Sequence, residues 1–266
     1  MYLLPSLLGE GLGERLMKIT VIGAGNMGGA LIKGWAKAAR EGKADLDITI
    51  TARTQQTLDK FSAACPELHT LLNNIEAVQE AQVVLLAVKP WLIDSVISKM
   101  GEALNGKTVI SVAANARNER IDVYAMPNIA AEFGQSMTFV EETSHAEALQ
   151  KAVSLFSLVG QLQVVDQKHM GAGMMMAGCG IAYVMRFLRA MMEGGVEMGF
   201  YPKDAQQISQ QTMQGAITLL QETGLHPEAA IDKVTTPGGV TIKGLNELDH
   251  AGFNSAVIRC LKAGLK

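Results

Sequence analysis

The sequence predicts an α/β fold: a doubly wound, mostly parallel sheet, followed by an all-helical domain. Three observations carry this. Short β-branched runs alternate with helical stretches through the first half of the chain. The run VVLLAV at 83–88 is continuously apolar, as a strand buried on both faces requires. From about His169 onward strand patterns disappear, and Met, Ala and Gly recur at helical spacing.

Taken in order, residues 18–22 form the first strand and end in a glycine loop. Residues 27–40 form a helix, with Ala30, Leu31, Trp35 and Ala38 on one buried face. DITIT at 47–51 is the second strand. Residues 58–64 are helical and stop at Pro66, and 76–80 form a short helix. The buried strand 83–88 follows, then a helix at 91–100 and a strand at 108–112. Late strands are expected at 121–126 and 138–140. In the second half, 174–198, 204–223, 227–234, 242–248 and 254–262 read as helices. The domains are therefore placed at 17–167 and 168–266. Residues 1–16 are read as an upstream extension or expression remnant with little order, because Met17 opens MKITVIGAGNMG as a natural start.

Composition narrows the function. Hydrophobic residues make up 48% of the 266, enough for a substantial core, and the net charge is −3 without a basic run. A phosphate-backbone binder would show a basic stripe, so nucleic acid is not expected. No apolar run reads as long enough to cross a bilayer, so no membrane partner is expected. Cys65, Cys179 and Cys260 are odd in number and far apart, which fits reduced thiols in the cytoplasm. The histidines show no ligand spacing, so no metal site is supported. The methionines clustered at 174–176 and 191–192 read as adaptable filling of a core or subunit interface. A helical domain this apolar suits a homodimer.

The chemistry begins at Gly23-Ala24-Gly25-Asn26-Met27-Gly28, which is G-x-G-x-x-G between a predicted strand and helix. Gly23 permits a tight turn, Gly25 lets a pyrophosphate approach the backbone, and Gly28 lets helix and strand pack closely. The helix N-terminus offers free N–H groups to the phosphates. This is the fingerprint of a Rossmann dinucleotide-binding domain; a plain glycine turn is the alternative. At the end of the second strand, Ile50-Thr51-Ala52-Arg53-Thr54 has no acid for a ribose 2′-hydroxyl, whereas Arg53 can pair with a 2′-phosphate. NADP is favoured over NAD, unless Arg53 is simply a surface charge. Ala87-Val88-Lys89-Pro90 and Val112-Ala113-Ala114 also follow strand ends, where the ligand crevice of such a sheet lies, or are ordinary connections.

A second motif runs VTTPGGVTIKGL from Val234 to Leu245. Its Pro-Gly-Gly turn leads straight into a helix, and N–H groups from Gly239 to Thr241 could receive a carboxylate there. An N-capped helix with no ligand has the same pattern.

These stretches together, with ISVAA at 110–114, AMPN at 125–128 and GIAYVMRFLRAMMEGGVEMG in the long helix, resemble the pyrroline-5-carboxylate reductases over nearly all of 17–262. VTTPGGVT is the most specific of them. The resemblance implies a Rossmann domain followed by a helical dimerisation domain, forming a homodimer or ring of dimers. It implies reduction of L-1-pyrroline-5-carboxylate to L-proline with NADPH or NADH, the last step of proline biosynthesis. Ile22 to Met27, Ala87 to Pro90 and Val112 to Ala114 would line the cofactor, and Asn74 would lie near its adenosine end. Gly239, Val240 and Thr241 would hold the substrate carboxylate and ring nitrogen, with Gly238 in the same anchoring loop. The chain departs from the family where Tyr124 replaces a basic residue, Ile129-Ala130 replace Thr-Pro, and Cys179 and Ile181 replace Ser and Pro.

A cyclic iminium needs little general acid help from the protein, so the expected task is positioning, with Thr241 at the imine nitrogen. The absence of a carboxylate dyad or Ser-His-Asp set in the sequence agrees. Two rivals stand beside this reading: a related NADP-dependent imine or carbonyl reductase, and a non-catalytic dinucleotide-binding sensor.

Overall fold

Strand β1 (Met17–Ile22) lies at the centre of the first half, and its alternating side chains found two cores. Ile19 and Val21 enter one and Ile22 the other. The computed structural model describes residues 16–265, so the extension expected at 1–16 lies, Leu16 apart, outside the described residues. The chain divides into two compact units between Gly178 and Cys179.

In the first unit β1 is followed by α1 (Asn26–Arg40), β2 (Leu46–Thr51), α2 (Gln55–Ala64), β3 (His69–Leu71), α3 (Asn74–Ala77) and β4 (Val83–Leu86). Next come α4 (Ile93–Met100), β5 (Thr108–Ser111), β6 (Val123–Met126), β7 (Ser136–Glu141), α5 (Ala146–Ser157), β8 (Gly160–Val165) and α6 (Gln167–Gly173). A π-helical turn, Met174–Gly178, closes the unit. The eight strands form one sheet in the order β3-β2-β1-β4-β5-β6-β7-β8. All neighbouring pairs are parallel except β6 with β7. The order reverses between β3 and β4, so the switch point of the sheet lies between β1 and β4.

Helices cover both faces. On one, Leu31 and Trp35 of α1, Leu58 and Phe61 of α2 and Phe156 of α5 pack on Val21, Ile50 and Leu85. On the other, Ile93, Ile97 and Met100 of α4 pack on Ile22, Val84 and Leu86. This two-sided burial explains why all four residues of β4 are fully buried, as its unbroken apolar sequence implied.

Four elements escaped the sequence reading: β3, β8, α5 and α6. Strand β3 has only three residues and owes its extended form to pairing with β2. Strand β8 is an edge strand with no fully buried residue, so it carries no continuous apolar run. Helix α5 did carry a pattern, since Ala148, Ala152, Val153 and Phe156 share a buried face. The contact division also falls later than the 167/168 boundary read from the sequence. Helix α6 packs on the sheet: a Cβ on Gly173 would come within 2.5 Å of the Phe139 ring.

The second unit consists of α7 (Gly180–Glu197), α8 (Pro202–Thr223), α9 (Pro227–Val234), α10 (Val240–His250) and α11 (Phe253–Ala263). Helices α7 and α8 approach closely where Gly195 meets Ala205, and Phe187 packs on Phe253 with ring centroids 5.7 Å apart. Few of its side chains are buried: Val184, Met185, Ile208, Ile217, Val257 and Ile258 are all exposed, which marks an interaction surface. The expectation that no apolar run is long enough to cross a bilayer does not hold for the long helix. The helical stretch Gln167–Glu197 is long and apolar enough to cross a membrane by length and composition, with an 18-residue window of mean hydropathy 1.3. Glycines and isolated charges such as Lys168 and Arg186 break its apolar runs in the sequence, so its length shows only when the helix is continuous.

Trp35 is the largest fully buried side chain; its Nε1–H donates to the Leu155 carbonyl at 2.8 Å and its ring packs on Phe156. Trp35→Ala should therefore destabilise the protein by about 3–5 kcal/mol, read from urea unfolding; a loss below about 1 kcal/mol would show that α1 and α5 do not share one core.

Candidate functional site

The turn from β1 into α1 is built by contacts that exclude a side chain. Gly23 adopts φ +103°, in the region that favours glycine, and a Cβ there would lie 2.8 Å from the Ala87 carbonyl oxygen. A Cβ on Gly28 would overlap the Gly23 carbonyl oxygen and press on the Ala87 methyl. Gly25 is the opposite case: a Cβ would meet nothing within 4 Å, and the residue is exposed. It is the N-cap of α1, with no side chain closing the helix end. The first N–H groups of α1 therefore carry no side-chain cap, and such uncapped helix N-termini suit a pyrophosphate. The three glycines thus divide as the motif requires: two hold the turn against β4, and one leaves it accessible.

Single backbone hydrogen bonds tie the neighbouring strand ends to this turn. Gly23 N–H donates to the Thr51 carbonyl at 3.1 Å, Ala87 N–H to the Ile22 carbonyl at 2.9 Å, and Val112 N–H to the Leu86 carbonyl at 3.1 Å. The segments 22–28, 87–90 and 112–114 are thereby brought together along the C-terminal edge of the sheet. Arg53 is exposed just beyond the end of β2. Thr54 is occupied otherwise: its Oγ1 caps α2 by accepting from Thr57 N–H. Asn74 is the first residue of α3 and half-buried, and the capping is done by Asn73, whose Oδ1 accepts from Ile75 and Glu76 N–H. The donor set fits a dinucleotide: helix N–H groups and a free glycine edge at the phosphates, with Arg53 beyond β2.

The sequence reading missed a polar cluster after β5. The Arg117 guanidinium makes two hydrogen bonds to the Glu141 carboxylate, both 2.6 Å, and lies 4.1 Å from the centre of the Tyr124 ring. The bond to Glu141 holds the guanidinium pKa above its usual value. So the position where Tyr124 departs from the family carries a cation over its ring, supplied by Arg117. Asn128, in the AMPN stretch, is buried and structural. It caps the 3-10 turn Ile129–Phe133, accepting from Ala130 N–H, and its amide donates to the Ala177 carbonyl.

In the second unit, Pro237 and Gly238 make the turn before α10, with Gly238 at φ +70°. Gly239 is the N-cap, and no side chain closes this helix either. One detail differs from the sequence reading: Gly239 N–H is already used, donating to the Thr236 carbonyl at 2.9 Å. The donors left for an anion are those of the first helical turn, Val240 and Thr241, both exposed. Gly239 is needed for space, since a Cβ would lie 2.6 Å from Thr236 Oγ1. The expected site residues thus fall into two groups, one on each unit.

The glycine geometry separates binding from stability. Gly25→Ala should change the unfolding free energy by less than about 1 kcal/mol yet weaken NADPH binding at least about tenfold. Gly28→Ala should cost about 1–3 kcal/mol of stability through overpacking. Fluorescence titration and urea unfolding of both variants check this; Gly25→Ala that binds normally would remove the open cradle from the phosphate site.

Comparison with known proteins agrees with both units. A family model for the pyrroline-5-carboxylate reductase dimerisation domain matches residues 167–266. A second, described as NADP oxidoreductase coenzyme F420-dependent, matches residues 18–115. Pyrroline-5-carboxylate reductase 1 of Dictyostelium discoideum is 35% identical over 264 residues, covering 91% of this chain; the chain spans only 47% of that relative's length. The pyrroline-5-carboxylate reductase of Methanosarcina acetivorans is 33% identical over 264 residues, covering 91% of this chain and 94% of the relative. Among solved structures, the pyrroline-5-carboxylate reductase of Coxiella burnetii superposes with a TM-score of 0.81 at 27% identity, covering 93% of this chain and 95% of that one. With a glycine cradle at the sheet edge, a Pro-Gly-Gly turn opening α10 and a relative matched almost end to end, the chain belongs to the pyrroline-5-carboxylate reductase family.

Proposed function

We propose that the protein reduces L-1-pyrroline-5-carboxylate to L-proline with NADPH, the last step of proline biosynthesis. The observation that carries this reading is that, of the three helices among the described residues opened by a glycine N-cap without a side-chain cap, α1, α10 and α11, the first two follow the G-x-G-x-x-G and Pro-Gly-Gly turns in one chain. The first suits a pyrophosphate and the second a carboxylate. Family membership selects the cyclic imine as the carboxylate's bearer.

When bound, the reduced nicotinamide supplies hydride to the C=N carbon. The chain's own part is to bind and orient. The N–H groups of Val240 and Thr241 receive the substrate carboxylate at the α10 N-terminus, on the turn shaped by Gly238 and Gly239. The Thr241 hydroxyl contacts the ring nitrogen. A protonated ring nitrogen already makes the carbon electrophilic, so no strong acid is required of the protein, and the rate enhancement comes chiefly from positioning. In the first unit, residues 22–28, Ala87, Val88, Lys89, Pro90, Val112, Ala113, Ala114 and Asn74 line the cofactor. Arg53 pairs with the 2′-phosphate, which supports NADPH over NADH; the match of 18–115 to an NADP oxidoreductase model supports it too. The exposed apolar side chains of α7, α8 and α11, and the match to a dimerisation domain, support a homodimer or a ring of dimers. Three free cysteines suit a reducing cytoplasm.

The direct test follows NADPH oxidation with and without pyrroline-5-carboxylate. Substrate-dependent oxidation yielding proline is the expected result; bound NADPH without turnover would point to another imine or carbonyl substrate. Thr241→Ala should lower kcat/KM by about 10- to 100-fold, the loss of one hydrogen bond to a charged group, and unchanged turnover would remove Thr241 from the ring nitrogen. Arg53→Ala should raise the KM for NADPH by about 10- to 100-fold while that for NADH stays nearly constant; an equal effect on both would remove Arg53 from the 2′-phosphate.

A further inference from the structure

The 112–114 segment forms one wall of the proposed cofactor site, yet it belongs to no helix or strand, so something must hold it. Its upstream end is tied to the sheet: Val112 N–H donates to the Leu86 carbonyl, and Ala113 N–H to Ser111 Oγ at 3.2 Å. Just downstream the chain bends at Asn115, which has φ +58°, the one non-glycine residue at positive φ among the described residues. Asparagine tolerates that conformation better than most residues, but it still needs support. The support comes from Arg117 and Asn118, two and three residues after the bend. Arg117 is pinned to β7 by the two hydrogen bonds it donates to Glu141, whose side chain is only 12% exposed. Asn118 is held on three sides. The Tyr124 hydroxyl accepts from its N–H at 2.8 Å and donates to its carbonyl at 3.1 Å, and its Nδ2 donates to Asp94 of α4 at 2.9 Å. Tyr124 joins the two anchors, since its ring lies under Arg117 while its hydroxyl holds Asn118.

We propose that Tyr124 and Arg117 are positioning residues for the dinucleotide site, fixing the 112–114 wall by clamping the chain on the far side of the Asn115 bend. The inference rests on the reading that this sheet edge binds NADPH. Neither residue needs to touch the cofactor: the clamp removes the freedom of a short segment whose other end is already tied to β4 and β5. Without it, binding must order that segment, and affinity falls while chemistry at saturation does not.

The test is the Kd for NADPH by fluorescence titration, beside kcat at saturating NADPH and the unfolding midpoint. Tyr124→Phe keeps the ring under Arg117 and removes only the two hydrogen bonds to Asn118. It should raise Kd about five- to tenfold and leave kcat within about twofold. The double variant Arg117→Met/Glu141→Met removes both charges together, so no carboxylate is left buried alone, and should shift Kd in the same direction. If both variants bind NADPH within about twofold of wild type, the proposal is overturned, even if their unfolding midpoints fall, because that pattern is a purely structural role. Wild-type protein that binds NADPH but does not turn over pyrroline-5-carboxylate would overturn the substrate reading alone. Wild type that binds no NADPH would overturn the cofactor reading and this inference together.

Discussion

Helix α1 crosses the end of β1 so closely that no methyl group fits between them, and much of the first unit is organised by that approach. Gly28 sits against the Gly23 carbonyl, and both sit against Ala87 at the end of β4. The contact joins the two strands on either side of the switch point. It also orients α1 so that Leu31, Ile32 and Trp35 reach the core shared with α5. A side chain at either glycine would lift the helix, and packing at near-crystal density leaves no slack to absorb the shift. The same closeness creates the site. With the helix end drawn onto the sheet edge and Gly25 left bare, the donors of the first turn have no side-chain cap.

The two candidate sites use one physical device in two settings. At α1 and at α10 a glycine occupies the N-cap, so the helix begins with its N–H groups uncovered. Side chains close the ends of α2, α3 and α6 through Thr54, Asn73 and Asp166, whereas α4, α5, α7, α8 and α11 also begin without a side-chain cap, so an open end acquires meaning only from the turn that precedes it. The local surroundings separate the two. At α1 the turn is buried against β4, with Arg53 exposed beyond the neighbouring strand. At α10 it is short and exposed, with a hydroxyl, Thr241, in the first turn. On the proposed reading, one receives a large dianionic linker and the other a small carboxylate with a polar atom nearby.

Much of the fold was legible because its signals are local. Strand β4 announces itself as an unbroken apolar run, α9 begins at a proline, and the glycine spacing of the β1–α1 turn reads directly as backbone geometry. The elements that escaped have weaker local signals. Strand β3 is three residues held by β2, and β8 is half-exposed and extended because it pairs with β7. The use of Gly239 N–H within its own turn could not be read from Pro-Gly-Gly, because the partner carbonyl depends on how Thr236 is oriented.

The sequence by itself determined the alternation of strands and helices, the two glycine turns, the basic residue beyond β2 and the helical character of the second half. Each is written in residues close together in the chain, where propensity, periodicity and allowed φ act directly. Only the tertiary structure decided which segments meet. Residues 22–28, 51, 87 and 112 share one edge because parallel pairing aligns the strand ends and ties them by single hydrogen bonds. Arg117, Tyr124 and Glu141 form one cluster because β6 and β7 run antiparallel, which places a carboxylate from β7 beside a ring on β6. Contacts between residues distant in sequence are set by register and packing, which no local pattern encodes.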